Sequence, residues 1–496
     1  MSASVGIART VALQGLEAHD VRVEAHIGQG LPAFTLLGVS GSAAGQATSR
    51  VKAALAASGF AIGQRKVLVN LAPAEVDKRG ARFDLAIAVA VLRALGELPP
   101  GDDVLIGELA LTGEVRPVPG ILPSLLGRSH VAVAARDGAE AALAGCGPIW
   151  AVDTLIDYVD IVEGRATAPP VRADAVAAPR DVPDLADVVG QPEARRALEV
   201  AAVGGHHLLL LGPPGAGKSM LARRLPGLLP PLDDTQALTA ASVASLVGRF
   251  HAVAGLDRRP PFAAPHHSAS AAALLGGGSG LARPGAVSEA AHGVLFLDEL
   301  FEWSRRVLDG LRQPMEDGVV RLARAAGTVT YPADFLLVAA SNPCPCGPAR
   351  TGCRCSDRDV HRYRARLTGP LADRFDLAPL IEPVPAAALA RPSEEEATST
   401  VAARVAAARA AGARRGPWLN ARAPMDVVRP TADPAAVDVL VRAVRRGRLS
   451  ARGFDRAMRV ARSCADLAGH ERISGADAHE AVAHRARLDA VWEQAA

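Results

Sequence analysis

Residues 208–219 read Leu-Leu-Leu-Leu-Gly-Pro-Pro-Gly-Ala-Gly-Lys-Ser: an apolar run, a glycine-rich turn, then a helix-like stretch from about Met220. Strand, turn and helix in that order are the context a phosphate-binding loop requires. Gly212, Gly215 and Gly217 let backbone N–H groups converge on phosphate oxygens. The helix N-terminus adds a partial positive charge, and Pro213, Pro214 and Ala216 complete the loop. Lys218 is placed to reach the outer phosphates, and the Ser219 hydroxyl to hold magnesium.

The bulk properties narrow the setting. A chain of 496 residues should contain two to four domains. No apolar run approaches the length of a membrane-spanning helix. Met1-Ser2-Ala3-Ser4-Val5 lacks the basic and apolar regions of a secretion signal, so a cytoplasmic location is expected. The net charge of +3 is too small to argue for nucleic acid by itself, and 3% aromatic residues support no base-stacking platform. Arginine far outnumbers lysine, which together with the abundant alanine reads as a coding bias. Only Lys52, Lys66, Lys78 and Lys218 occur, so the one lysine beyond residue 78 is informative because it falls in the phosphate loop.

Four regions follow from the pattern. Residues 1–165 mix strands and helices, with a buried strand at Val67–Leu71 and an apolar helix over Phe83–Leu95. Residues 166–184, rich in alanine and proline, read as a linker. Residues 185–385 alternate strands and helices, the α/β pattern of a parallel sheet covered on both faces. Residues 386–496 read as helices, starting at Glu394-Glu395-Glu396, with amphipathic stretches over Ala435–Arg446 and Gly453–Ala468.

Behind the phosphate loop comes Val294-Leu295-Phe296-Leu297-Asp298-Glu299, a buried strand ending in two acids. Asp298 would bind magnesium and Glu299 would activate the attacking water. A third buried strand, Phe335–Ser341, ends at Asn342, which either helps place the water or simply closes a turn before Pro343. In Leu371-Ala372-Asp373-Arg374-Phe375-Asp376-Leu377, Arg374 is suited to reach a neighbouring subunit's nucleotide. A salt bridge to Asp373 or Asp376 is the competing role.

This ordered set resembles the AAA+ ATPases. Further stretches resemble the magnesium-chelatase-like branch and, within it, the YifB/ComM family. They include Ala264-Pro265-His266-His267-Ser268, Gly276-Gly277-Gly278-Ser279, Gln313-Pro314-Met315-Glu316-Asp317-Gly318, Asn342-Pro343-Cys344-Pro345-Cys346-Gly347 and Leu449-Ser450-Ala451-Arg452. The resemblance implies a P-loop core with a helical C-terminal lid. It implies ATP and Mg2+ as ligands, and Glu299, Asn342 (sensor 1), Arg374 (trans finger) and Arg452 (sensor 2) as catalytic positions. The implied assembly is a homo-oligomeric ring, typically a hexamer, with no membrane association. Residues 318–330 read as a β-hairpin of the kind that lines the pore in related ring motors. Arg321 and Arg324 are therefore DNA-backbone candidates, against a plain solvated role.

Cys344, Cys346, Cys353 and Cys355 form two C-x-C pairs within twelve residues. Four thiolates so placed can converge on one tetrahedral zinc, with redox-active or plain reduced thiols as the other readings. His266 and His267 match a family pattern without an assigned role, since adjacent histidines usually point apart. Residues 77–85 and 107–120 resemble the proteolytic domain of Lon proteases, an α+β domain of the ribosomal S5 domain 2 type. Arg82 or Phe83 stands at the serine position and Leu122 at the lysine position, so a Lon-like fold without peptidase chemistry is expected. The function the YifB/ComM resemblance implies is an ATP-driven ring motor on DNA, a helicase or branch-migration factor in the recombination of incoming strands; the residues themselves point to ATP hydrolysis. A protein-remodelling motor of the chelatase kind is the alternative.

Overall fold

The structure is a computed structural model that describes residues 5–39, 42–171, 183–250, 256–278, 282–324, 327–347, 353–367, 369–385 and 395–493. Most of the expected linker, residues 172–182, and residues 386–394, with which the helical region was expected to open, lie outside the described residues.

The N-terminal part is built on a seven-stranded sheet. Its strands run in the order Ala33–Leu37, Lys66–Ala72, Glu17–Gly28, Val5–Gln14, Val104–Ile106, Val131–Ala134 and Ile149–Val152. Val5–Gln14 and Glu17–Gly28 form an antiparallel hairpin in which Gln14 faces Glu17 across the turn. Gly15 in that turn has φ of 70°, a left-handed conformation that favours glycine. The helix Asp84–Leu95 is buried from Asp84 to Ala94, which explains why its sequence is apolar on every side. It lies so close to the sheet that a side chain at Gly6 would meet Ala90 O at 2.1 Å.

The second sheet explains the solid apolar runs of the sequence. Phe262–Ala263, Val294–Leu297, Leu336–Ser341 and Leu208–Leu211 are parallel neighbours in that order. A further parallel segment borders Leu208–Leu211 through bridges to Leu377 and Leu380. Both faces are covered, so every residue of Leu208–Leu211, Val294–Leu297 and Leu336–Ser341 is buried. Leu208, Leu210, Phe296 and Val338 face one cluster with Leu198, Leu221, Val401, Val405 and Met458. Leu209, Leu295, Leu297 and Leu337 face the other, with Leu300, Trp303, Leu371 and Phe375. Each such side chain contributes roughly 1.5–3 kcal/mol.

The helices Thr398–Ala413, Pro434–Arg445, Ala451–Ala468 and Gly475–Glu493 complete the chain. Among the described residues, Glu395 and Glu396 precede the helix that begins at Thr398. The acids have other partners. Glu395 accepts the Gly190 N–H at 2.9 Å, and Glu396 accepts Arg404 at 3.0 and 2.8 Å. The backbone N–H of Thr398 bonds Asp184 Oδ1 at 2.7 Å. Contacts join the N-terminal part to the surroundings of the second sheet, two hydrogen bonds among them. Gly120 donates its N–H to Ser245 O at 3.0 Å, and Gln14 Nε2 donates to Thr328 O at 3.4 Å. Among the described residues no helix is long and apolar enough to cross a membrane.

Candidate nucleotide site

The strand Leu208–Leu211 delivers the glycine-rich turn to the start of the helix Lys218–Leu228. Gly215 and Gly217 take φ of 75° and 91°, with open space where a Cβ would stand. Gly212 is required for a different reason: a Cβ there would lie 2.3 Å from Ile381 O. Gly217 at the N-cap brings no capping side chain, so the first turn of the helix presents backbone to the pocket. Lys218 Nζ donates to Gly212 O and Pro213 O at 2.8 Å each and to Asn342 Oδ1 at 3.0 Å. All three acceptors are neutral, so the ammonium is hydrogen-bonded without being neutralised. Burial lowers its pKa, partly countered by Asp298 and Glu299.

The two other motifs close the same pocket. Ser219 Oγ donates to Asp298 Oδ2 at 2.8 Å. That hydroxyl–carboxylate pair offers two hard oxygens suited to Mg2+. Asp298 also accepts the Glu299 N–H at 2.9 Å, while Trp303 Nε1, from a fully buried ring, donates to Asp298 O at 3.0 Å. Glu299 adopts φ of 51°, left-handed for a residue with a side chain, which costs on the order of 1–3 kcal/mol. The turn presents its carboxylate to solvent. The donor set fits a nucleoside triphosphate with magnesium: a cation lacking a counterion, open backbone N–H groups, and a hydroxyl beside an acid.

One partner of this site was not legible in the sequence. His267 Nδ1 lies 2.7 Å from Glu299 Oε2. The His266 and His267 rings do not point apart; their centroids are 4.1 Å apart, and His266 Nδ1 contacts Ser268 Oγ at 2.8 Å. The parallel pairing of Phe262–Ala263 with Val294–Leu297 carries the histidines to the acidic turn.

Arg374 pairs with Glu316, and neither Asp373 nor Asp376 is its partner. Its Nε is buried and has no hydrogen-bond partner among the described residues. Burial, with the nearby charges of Arg456, Arg452 and Arg312, lowers its pKa. Arg452 is highly exposed, 3.9 Å from Asp373, so it shares a surface with Arg374. Asp376 serves the core instead. Burial alone would raise its pKa, but the bond with His206 and the charge of Arg456 outweigh that and hold it well below the usual carboxylate range. Its partners are His206 Nδ1 at 3.2 Å and Arg456 Nη1 at 2.8 Å. His206 Nε2 continues to Ser463 Oγ at 2.9 Å, and Arg456 also donates to Arg374 O at 3.2 Å. The helix Ala451–Ala468 is thereby tied to the backbone of Arg374 itself.

The four clustered cysteines converge, and none of the six in the chain is in a disulfide. Their sulfurs all lie within 4.8 Å of one another, with separations of 3.3 Å for Cys344–Cys346, 3.6 Å for Cys346–Cys353 and 3.5 Å for Cys353–Cys344. A tetrahedral zinc with bonds of about 2.3 Å sets sulfurs about 3.8 Å apart, so the thiols fit such an ion. Arg321 and Arg324 are exposed on the antiparallel hairpin Val319–Arg324 and Gly327–Pro332. Arg321 is 3.1 Å from Asp317, and Arg324 Nη1 donates to Ala323 O at 3.1 Å.

In the N-terminal part, Arg82 Nη2 donates to the buried hydroxyl of Ser124, whose Oγ in turn donates to Gly120 O. Burial lowers the Arg82 pKa to about 10, against the pull of Asp137. Asp137 is itself pushed up to about 7 by burial.

A parallel sheet carrying a phosphate loop, a strand-end acid pair and a strand-end asparagine, capped by helices, defines a P-loop ATPase of the AAA+ type. Three family models match the chain: magnesium chelatase, subunit ChlI, over residues 184–389; subunit ChlI of Mg-chelatase over 23–135; and magnesium chelatase, subunit ChlI C-terminal, over 395–485. The chain is 45% identical over 481 residues to an uncharacterised protein of Mycobacterium tuberculosis (strain ATCC 25618 / H37Rv), covering 94% of this chain and 95% of that one. It is 40% identical over 497 residues to the uncharacterised protein YifB of Escherichia coli (strain K12), covering 97% of each. It is 39% identical over 504 residues to the competence protein ComM of Haemophilus influenzae (strain ATCC 51907 / DSM 11121 / KW20 / Rd), covering 98% of each. The chain belongs to the YifB/ComM family of magnesium-chelatase-like AAA+ ATPases.

Proposed function

We propose that the chain is the ATP-hydrolysing subunit of a cytoplasmic homo-hexameric ring that works on DNA, separating or migrating strands when incoming DNA is recombined. The observation that carries the ATPase reading is the meeting of the phosphate loop with two groups distant in sequence: Lys218 with Asn342 at 3.0 Å, and Ser219 with Asp298 at 2.8 Å. Mg2+ supplies charge neutralisation of the phosphates when bound between Ser219 and Asp298. Lys218 exchanges its neutral acceptors for phosphate oxygens. Glu299 orients and takes a proton from the attacking water, and Asn342 fixes that water's position. Arg374 and Arg452, on one shared surface, complete the adjoining subunit's pocket, where guanidinium charge stabilises the transition state.

The DNA reading is supported by kinship with a competence protein and by the exposed arginines on the hairpin. Its test is the ATPase rate with and without single-stranded or branched DNA, together with strand displacement. Stimulation and displacement support it. Turnover indifferent to DNA favours a protein-remodelling motor, a reading encouraged by the magnesium-chelatase models that match the chain. Neutralising Arg321 and Arg324 together should weaken DNA binding and flatten its salt dependence. The four clustered cysteines hold one structural zinc, measurable by elemental analysis of the purified chain.

A further inference from the structure

The four cysteines are not remote from the nucleotide pocket. Cys344 is two residues past Asn342, whose side chain holds Lys218. After Cys346 the chain turns at Gly347, with φ of 92°. Gly347 lies against the phosphate loop: a Cβ there would be 2.8 Å from Pro214 Cγ and 3.3 Å from its Cδ. On the other side, the helix Asp357–Arg364 follows directly after Cys355. Its Arg364 donates to Pro343 O from Nε at 3.2 Å and from Nη2 at 3.1 Å. The cysteine loop is thus pinned between the phosphate loop and a helix, with the sensor asparagine at its root. Cys346 is exposed and Cys353 and Cys355 are only partly buried. These three cysteines therefore bury little surface with which to hold their own positions.

We infer that the four-thiolate metal site is the outer brace of the nucleotide pocket, so that occupancy by a thiophilic divalent cation sets the affinity for ATP. The coupling requires that zinc occupy the four thiols, as proposed above. No cysteine touches nucleotide. The cation ties Cys344 and Cys346 to Cys353 and Cys355, which seats Gly347 on Pro214 and holds Asn342 where it meets Lys218. Without the cation, the same residues must be ordered at the expense of nucleotide binding energy.

The test uses the full chain. Zinc content is measured by elemental analysis, and the ATP Kd by calorimetry, before and after treatment with a thiophilic chelator that spares Mg2+, and again after zinc is restored. The expected result is one zinc per chain, with the Kd weakened about tenfold on removal and recovered on restoration, in line with typical coupling energies. Gly347→Ala is the second arm, because it leaves all four ligands in place. It should retain one zinc and still weaken ATP, by pushing the loop off Pro214. A chain that binds no zinc, even when zinc is supplied, overturns the metal site and the coupling with it. Stoichiometric zinc whose removal leaves the ATP Kd unchanged overturns the coupling alone. Zinc-free protein that hydrolyses ATP with an unchanged KM overturns the coupling while leaving the ATPase reading intact.

Discussion

Lys218 and Arg82 are two cations set back from solvent, and their surroundings differ. In the nucleotide pocket, Lys218 is held by two backbone carbonyls and an amide oxygen, beside a hydroxyl–acid pair and the half-exposed Glu299. Each of those acceptors is neutral and can be exchanged for phosphate. In the N-terminal part, Arg82 is enclosed with Ser124 and faces Asp137, while the Ser124 proton is already committed to Gly120 O. Among the described residues, the Ser124 hydroxyl is bonded by Arg82 and Gly120 O and by no base. The first pocket stores a charge for use. The second uses its charge to hold the fold.

The largest effect that would break this contrast belongs to Arg374. Arg374→Ala should lower the ATPase rate roughly 10³-fold while leaving the ATP Kd nearly unchanged, as the proposal that the guanidinium serves the neighbouring subunit requires. Mixing it with Lys218→Ala subunits should recover measurable turnover, since some interfaces then pair an intact finger with an intact loop. A lone active subunit, or no recovery on mixing, would place Arg374 in its own pocket or in the core. Glu299→Gln comes next. It should cut turnover by about 10² or more and leave ATP bound, seen as retained nucleotide after gel filtration; a variant that still hydrolyses ATP at the native rate would move the base elsewhere.

His267 ranks third. Its bond to Glu299 at 2.7 Å makes it a positioning residue. His267→Ala should reduce kcat about tenfold with little change in KM, since it alters how Glu299 is aimed and not how ATP is gripped. An unchanged kcat would leave the contact without consequence. His267→Asn, which can still reach the carboxylate, should recover part of the loss.

What the sequence made legible follows from range. The phosphate loop, Val294–Glu299 and the strand to Asn342 are local patterns whose apolar runs admit only a doubly covered sheet, and the four cysteines are close enough in the chain for their spacing to predict convergence. The competing partners of Arg374, Asp373 and Asp376, are near it in sequence, whereas its partner in the structure, Glu316, is brought in by the fold. Asp376 was already engaged by His206 and Arg456. The His267–Glu299 contact depends on the parallel register Phe262↔Val294, which no local pattern encodes. Nor does an apolar run ending in two acids reveal that Glu299 turns left-handed.

The smallest effect concerns the second pocket and reads out as stability against pH. Asp137 is pushed up to about 7 by burial, and Asp84 up to about 6, in both cases despite partners that favour the charged form. In the unfolded chain both titrate near 4. Between these values the folded state keeps protons that the unfolded state has lost, so stability falls as pH rises from about 4 towards 7 and then levels off. For Asp137 the upper bound is about 4 kcal/mol. Hydrogen exchange of the strand Val131–Ala134 should therefore quicken from pH 5 to 7, beyond the intrinsic rate. Asp137→Asn should flatten that slope, because a neutral amide can still accept the Val118 N–H, now 3.1 Å from Asp137, and carries no ionisation penalty. Protection that rises with pH in the native chain would mean the carboxylate is ionised and paired with Arg82, making this pocket an ion pair and leaving Lys218 the only cation of the two held by neutral acceptors.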